Sequence, residues 1–311
     1  MSNHSAEIQT WPHHALVEEL AHFQDLASLI LPRPEDLPIL PNIDYFAAIE
    51  PLRGSVCGDH LAVVDFAEYN LHHKIQEAER AGNELLAATL ADNLDRFGIL
   101  VADAAGHRIG DSVTANFLHG AFKTGVAYEL ARHGKVTAGL FEMLNTIFYN
   151  RMTPEFLESK PYVTLIYGEV LHEGRFRFLS AGHPPPIVFS QEFNRIVALS
   201  HERTRSSTPL GILPSEYHVD IESFAPVAIT KERYTVNEIN LLGDGDIMLL
   251  YTDGLLEHHD GTALFTETRL EPVLRQAKSG TAREIYESLR NAMHAFAPLS
   301  DDVTIAVIKK V

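Results

Sequence analysis

The sequence predicts an α+β fold, on three observations. Strand-like runs rich in β-branched and aromatic residues cluster in blocks, and helical runs cluster in others, without the strict alternation of a βαβ chain. The longest apolar runs, such as Ile247–Tyr251, are strand-sized. Hydrophobic residues make up 45% of the 311 positions, enough for one large core with an appendage.

Taken in chain order, Leu16, Leu20, Phe23, Leu26, Ile30 and Leu31 recur near helical spacing, and LPRPEDLPILP then stops the pattern. This is an amphipathic helix over His14 to Leu31 followed by an extended linker. Its stripe would cover the main domain or a second copy of itself, and the first reading is the safer. Strands are expected at Tyr45 to Ile49, Leu61 to Phe66 and Gly98 to Ala102. Between the last two, the charged, alanine-rich stretch from His72 to Arg96 reads as a helical insertion that Gly82 weakens. Two long helices follow, Ile109 to Arg132 and Val136 to Tyr149. Strands come next at Tyr162 to Val170, Arg175 to Ser180, Pro186 to Phe189 and Arg195 to Ala198. Pro209, Gly211, Pro214 and Pro226 mark Glu202 to Glu232 as a loop-rich surface excursion. Strands resume at Glu238 to Leu242 and Asp246 to Tyr251. Helices over Thr266 to Gln276 and Ala282 to Phe296 and a closing strand from Val303 to Lys309 complete the pattern.

Charge narrows the function classes. With 25 Lys and Arg against 42 Asp and Glu, the net charge of −17 repels nucleic acid and anionic membrane surfaces. The start of the chain is polar rather than basic and then apolar, so no signal peptide is expected. No run approaches the roughly 20 apolar residues of a membrane span. Cys57 is the lone cysteine, so no intrachain disulfide can form, in keeping with a cytoplasmic setting.

Four acidic sites stand where a strand meets a turn: Asp59 in VCGDHLAVV, Asp103 in ILVADAAGH, Asp253 in MLLYTDGLLE, and Asp301 with Asp302 in LSDDVTIAVI. Each alone reads as an ordinary turn. Together they place several carboxylates at strand ends, where burial is costly unless the charge is paired or metal-bound. Apart from Arg53 and Arg108, the neighbouring segments hold few basic residues, so hard divalent cations such as Mg²⁺ or Mn²⁺ are the natural partners. Zinc fits poorly, with one cysteine and no paired ligand spacing among 17 histidines. A calcium loop of the D-x-D-x-D-G kind is missing from the sequence.

Read in order, these segments resemble the motifs of stage II sporulation protein E type serine/threonine phosphatases, within the type 2C metal-dependent superfamily. LPRPEDLPILPNID resembles the linker ahead of the catalytic domain, and CGD resembles the Gly-Gly-Asp turn. ADAAGH resembles Asp-x-Ser-Gly-His, SAGHPPPIVF the Ala-Gly-His-Pro-Pro segment, LLYTDGLLE the Tyr-Thr-Asp-Gly-x-x-Glu segment, and DDVTIAVI the Asp-Asp-x-Thr strand. The resemblance runs from about Leu31 to Ile308. It implies a four-layer α-β-β-α sandwich with a central antiparallel β-sandwich and a bimetal site at one end. It also implies a division into a helix and Pro-rich linker over 1–41 and a phosphatase domain over 42–311, with the insertion at about 72–96. Two cations, Mn²⁺ or Mg²⁺, are implied, with Asp103 bridging them and the backbone carbonyl of Ala104 adding a ligand. Asp59 would serve one metal, directly or through water, and Asp253 and Asp301 the other, with Asp302 as runner-up to Asp301. The sequence departs from the pattern at Cys57, at Arg108, and in HLAVV, which lacks the usual acidic residue.

The implied activity is hydrolysis of phosphoserine or phosphothreonine by a metal-activated water, without a covalent intermediate. Cys57 is then a small packed residue rather than a nucleophile. His107 is a candidate proton donor, although a histidine ending a Gly-His turn is more often structural. His183 is expected to order a hairpin; Arg53 could orient the phosphate, although an exposed loop arginine is the more common outcome. The resemblance implies a phosphorylated partner of the anti-sigma factor antagonist type, and the apolar stripe of the N-terminal helix offers a homodimer as its second use. The alternative is a weak or inactive phosphatase-fold module that acts by binding in partner switching.

Overall fold

The computed structural model describes residues 13–32, 39–54, 57–105, 109–151, 162–215, 230–240 and 243–311. Two sheets face each other. The first joins β1 (Ile43–Glu50), β11 (Val303–Lys310), β10 (Ile247–Tyr251), β6 (Ile187–Ser190) and β7 (Arg195–Val197), in that order. The second joins β2 (Asp59–Val64), β3 (Arg96–Ala104), β4 (Val163–Leu171) and β5 (Arg175–Ala181). The two-residue β8 (Ser206–Ser207) and β9 (Val236–Asn240) both pair with β5. Every pairing of these strands is antiparallel except β5 with β8.

The apolar strand runs are continuous because both faces of each sheet are covered, and alternate side chains enter different cores. On β3, Ile99 and Val101 point between the sheets while Leu100, Ala102 and Ala104 point outward. On β10, Met248 and Leu250 point inward, and Ile247, Leu249 and Tyr251 outward. Helices α4 (Ile109–His133) and α5 (Ala138–Arg151) cover the second sheet with Leu118, Phe122, Val126, Phe141 and Phe148. Helices α8 (Leu270–Ala277) and α9 (Ala282–Phe296) cover the first with Leu274, Ile285, Leu289 and Met293. Three apolar clusters, one between the sheets and one under each helical layer, make the expected α-β-β-α sandwich.

The expected boundaries need four corrections. The insertion is a pair of short helices, α2 (Leu71–Arg80) and α3 (Glu84–Ala91), broken where Gly82 takes φ +70. It ends earlier than expected, because Arg96 already opens β3; burial against Glu169 at 2.8 Å fixes its guanidinium there. The helix expected over Thr266 to Gln276 is two pieces, α7 (Phe265–Thr268) and α8, jointed at Arg269. The excursion from Glu202 is no simple surface loop. Leu210 pairs its backbone with Val163, and the side chain of Lys231 is wholly buried against Glu142 of α5 at 2.7 Å. Residues 216–229 and 241–242 lie outside the described residues, the expected strand end at Leu242 among them, and β9 runs over Val236–Asn240.

The first helix, α1, spans His13–Ser28 and leaves Val17 53% exposed. Its far end touches the sandwich: Ile30 and Leu31 line a small cavity with Cys57, Asp59, His60 and Ser112. No helix among the described residues is long and apolar enough to cross a membrane.

At the opposite face, α9 starts with a capping box between Thr281 and Glu284 and is tied to β1 by Arg290, whose Nε donates to Glu50 at 2.5 Å. That hydrogen bond is the main reason the Glu50 carboxyl sits below its ordinary range, against the opposing effect of burial. The stabilisation is present above the unfolded carboxylate pKa and is lost as pH falls through the lowered folded value. Arg290→Ala is therefore expected to cost about 0.5 kcal/mol at neutral pH after solvent screening. The gap from wild type should narrow as pH falls below the ordinary glutamate range, as read by urea unfolding at neutral and at acid pH.

Candidate metal centre

Strand register brings the acidic segments to one end of the sandwich. Asp59, the first residue of β2, lies opposite Asp103 on β3, and Asp103 lies opposite Thr164 on β4. On the facing sheet β10 ends at Tyr251, Thr252 follows, and Asp253 opens the short helix α6 (Asp253–Leu256). Asp301 and Asp302 immediately precede β11. The Thr252 N–H donates to the Thr304 carbonyl at 3.2 Å, which locks these two strand ends side by side.

The two aspartates of the doublet do different work. Asp302 is buried, and its carboxylate accepts from the backbone N–H of Leu52 at 2.7 Å and of Gly58 at 3.2 Å. Asp302 thus staples the turn that leads into Asp59. Asp301 is half-buried, and its Oδ1 accepts the N–H of Asp302 at 2.7 Å. Gly254 makes the close approach feasible: a Cβ there would stand 2.0 Å from the Asp302 carbonyl oxygen.

Asp59 is 4% exposed, and its Oδ2 accepts from the hydroxyls of Thr252 at 2.7 Å and Thr304 at 2.6 Å. Burial, followed by the nearby Asp103 charge, still holds its carboxyl well above the ordinary range. Burial also pushes Asp103 up to about 7, and after burial come the charges of Asp253, Asp301, Asp302 and Asp111. The carboxylates expected as ligands therefore sense one another as crowded negative charge. Ala104 is buried at the end of β3, its N–H bonded to the Gly58 carbonyl.

Among the described residues no three His, Cys, Asp or Glu side chains converge closely enough to hold an ion as they stand. The chemistry of the donor set nonetheless fits a hard divalent cation: the groups are oxygen donors, anionic and mutually repelling.

The remaining sequence candidates sort as follows. Cys57 donates from Sγ to the Asp59 carbonyl at 3.6 Å, and burial raises its thiol far above the reactive range. It is a packed residue, as expected. Arg53 is exposed in the turn before Gly54, also as expected. His107 and Arg108 lie outside the described residues.

His183 does more than order a hairpin. Buried at the turn after β5, it places Nδ1 3.1 Å from the Thr164 hydroxyl, and burial lowers its pKa to about 3, keeping the ring neutral. The turn itself needs glycine, since Gly182 has φ +68 and a Cβ would meet Pro209 at 2.3 Å. Sequence reasoning missed the Thr252 and Thr304 hydroxyls, although both lie inside the quoted motifs. It also missed the pair His60 and His119, whose ring nitrogens stand 3.0 Å apart beside Asp59.

This geometry can be set against known proteins. The family described as Stage II sporulation protein E (SpoIIE) matches residues 93–311, well over half of the chain and including three of the four acidic segments. The chain belongs to the SpoIIE family. A curated relative, the phosphoserine phosphatase RsbP of Bacillus subtilis (strain 168), is 28% identical over 171 residues, which is 55% of this chain and 36% of that protein. The chain thus spans well under two thirds of that relative. Among solved structures, the SiaA-PP2C domain of Pseudomonas aeruginosa is 16% identical, with a TM-score of 0.63, covering 96% of this chain and 99% of that one. RsbX, crystallised in complex with magnesium, is 14% identical, with a TM-score of 0.52 over 88% of this chain and 98% of that one. At these identities the two structures establish the fold of this SpoIIE-family chain and no more.

Proposed function

We propose that this SpoIIE-family phosphatase domain removes phosphate from phosphoserine or phosphothreonine on a regulatory protein, in a reaction that requires Mn²⁺ or Mg²⁺. The observation that carries the reading is the arrival of Asp59, Asp103, Asp253 and Asp301 from four separate segments at one end of the sandwich, with Asp103 crowded by carboxylates. Such a cluster is costly to assemble unless cations complete it.

In this reading Asp103 would serve both ions and the Ala104 carbonyl would add a ligand, Asp59 would serve one ion, directly or through water, and Asp253 and Asp301 would serve the other. Asp302, occupied by Leu52 and Gly58, is the staple rather than the ligand. Bound divalent cations supply an acidified water nucleophile and neutralise phosphoryl oxygens. The chain's own part is to orient the carboxylates: β2 and β3 fix Asp59 against Asp103 in register, and α6 presents Asp253 from the facing sheet. His107 is retained as proton donor to the leaving serine. The division of the chain at residue 41 and a cytoplasmic setting belong to the same proposal.

The test is phosphate release from a phosphoserine peptide by the full chain. Release should require added Mn²⁺ and stop on chelation; turnover indifferent to chelator would overturn the reading. Mn²⁺ binding without turnover on any phosphoserine or phosphothreonine substrate would favour the binding module instead.

The substrate proposed is a small anti-sigma factor antagonist type domain, and the N-terminal helix is proposed to pair with its copy in a homodimer, on the strength of the exposed Val17 and Leu20. Ile30 and Leu31 border Asp59, so the informative truncation ends before them. Deleting residues 1–28 should convert a dimer to a monomer, seen by light scattering, while changing peptide turnover less than about threefold. An unchanged mass would remove the helix as the dimer contact.

A further inference from the structure

The Asp59 carboxylate is held from the opposite sheet. Thr252 and Thr304 are both fully buried, and both hydroxyls reach the same oxygen, Oδ2. The proton directions follow from the neighbouring bonds. The Thr252 Oγ1 already accepts the Thr304 N–H at 2.9 Å, so its single proton is left to donate to Asp59. The Thr304 hydroxyl likewise turns its proton to Asp59, and the Thr252 N–H closes the group on the Thr304 carbonyl. Two hydroxyls on one carboxyl oxygen, at 2.7 and 2.6 Å, fix its direction from the facing sheet.

We propose that Thr252 and Thr304 are positioning residues for the phosphatase reaction: anchored to the strand ends beside Asp253 and Asp301, their hydroxyls fix the Asp59 carboxylate in the orientation that receives the cation. Each threonine sits on the segment that supplies a proposed ligand for the other metal, one residue before Asp253 and three after Asp301. Through Asp59 they couple the two halves of the centre across the gap between the sheets. Hydrogen bonding to a ligating carboxylate is the kind of support whose loss typically weakens metal affinity 10–100-fold. Val keeps the β-branched shape; at Thr304 it deletes the donor to Asp59, and at Thr252 it deletes both that donor and the acceptor of the Thr304 N–H.

This inference rests on the metal-dependent reading above, and the experiment separates the two. Mn²⁺ binding by the full chain is measured by titration calorimetry, with phosphopeptide turnover alongside, for wild type, Thr252→Val, Thr304→Val and the corresponding Thr→Ser variants. Wild type should bind Mn²⁺. Each Val variant should bind about tenfold more weakly with KM for the peptide unchanged, and each Ser variant should return to within about threefold of wild type. In an Asp59→Asn background, Thr304→Val should have no further effect on Mn²⁺ affinity, because the hydroxyl acts through that carboxylate.

Val variants that melt lower but bind Mn²⁺ as wild type does would show a purely structural role and overturn the proposal. So would Thr304→Val weakening Mn²⁺ binding equally with and without Asp59. If one Val variant does not fold, its Ser counterpart and the other position decide by the same criteria. No Mn²⁺ binding by wild type would instead overturn the metal-dependent reading itself.

Discussion

Asp103→Asn is expected to lower Mn²⁺-dependent phosphate release by about 10³-fold while leaving the melting temperature of the metal-free protein no lower than wild type. The two signs are opposite because the same carboxylate plays opposite parts with and without cations. In the metal-free protein Asp103 is a partly buried charge surrounded by Asp253, Asp301, Asp302 and Asp111, and its carboxyl is pushed up to about 7. A neutral amide of the same shape removes that repulsion and leaves the β3 register with Asp59 and Thr164 intact. In the loaded protein Asp103 is the one carboxylate proposed to touch both ions, so the amide removes a shared anionic ligand. Phosphate release with and without Mn²⁺, and thermal melts in chelator, check the two halves separately. A variant that keeps a tenth of wild-type turnover would remove Asp103 from the bridging position.

The layered architecture was legible because burial on both faces writes itself as continuous apolar strands, as at Ile247–Tyr251 and Val303–Lys310. The acidic positions were legible for a related reason: each aspartate lies at, or within two residues of, the end of such a strand. What the sequence did not reveal is long-range. The partners of Asp59 lie 193 and 245 residues away, and those of Asp302 lie 250 and 244 residues away. The bonds that set Asp302 apart are of this kind too, since the Leu52 and Gly58 amides it accepts lie far along the chain.

The excursion after Glu202 misled the sequence reading because proline and glycine signal turns without saying whether the turns are buried. Here they are anchored by a polar cluster on α5. Asn145 donates to the Leu213 carbonyl and Ser215, and accepts the Gly211 N–H, while Glu142 accepts from Ser215, the Tyr234 N–H and Lys231. Lys231 also stands 3.5 Å from the Tyr234 ring centre. Charge and hydrogen bonding thus do at both ends of this segment what apolar periodicity does in the strands.

Gly254→Ala is expected to destabilise the protein by about 2–3 kcal/mol and to lower turnover about 10²-fold, although the substitution favours a helix. Two effects compete at this position. Alanine is the better helix former by about 1 kcal/mol, and Gly254 lies in the first turn of α6. Against this, the added Cβ would stand 2.0 Å from the Asp302 carbonyl oxygen and 3.1 Å from Val303 Cγ2. The obstructing atom is backbone at the entry to β11, held by the Asp302 staple on one side and by the Thr252–Thr304 pairing on the other, so it cannot swing aside as a flexible side chain would. Relief requires α6 to move away from β11, which separates Asp253 from Asp301 and strains both hydroxyl contacts to Asp59. Contact outweighs propensity, so stability and turnover should fall together, as read by thermal melts and Mn²⁺-dependent phosphate release. A Gly254→Ala protein as stable as wild type would mean that α6 and β11 are not in the close contact on which the shared centre depends.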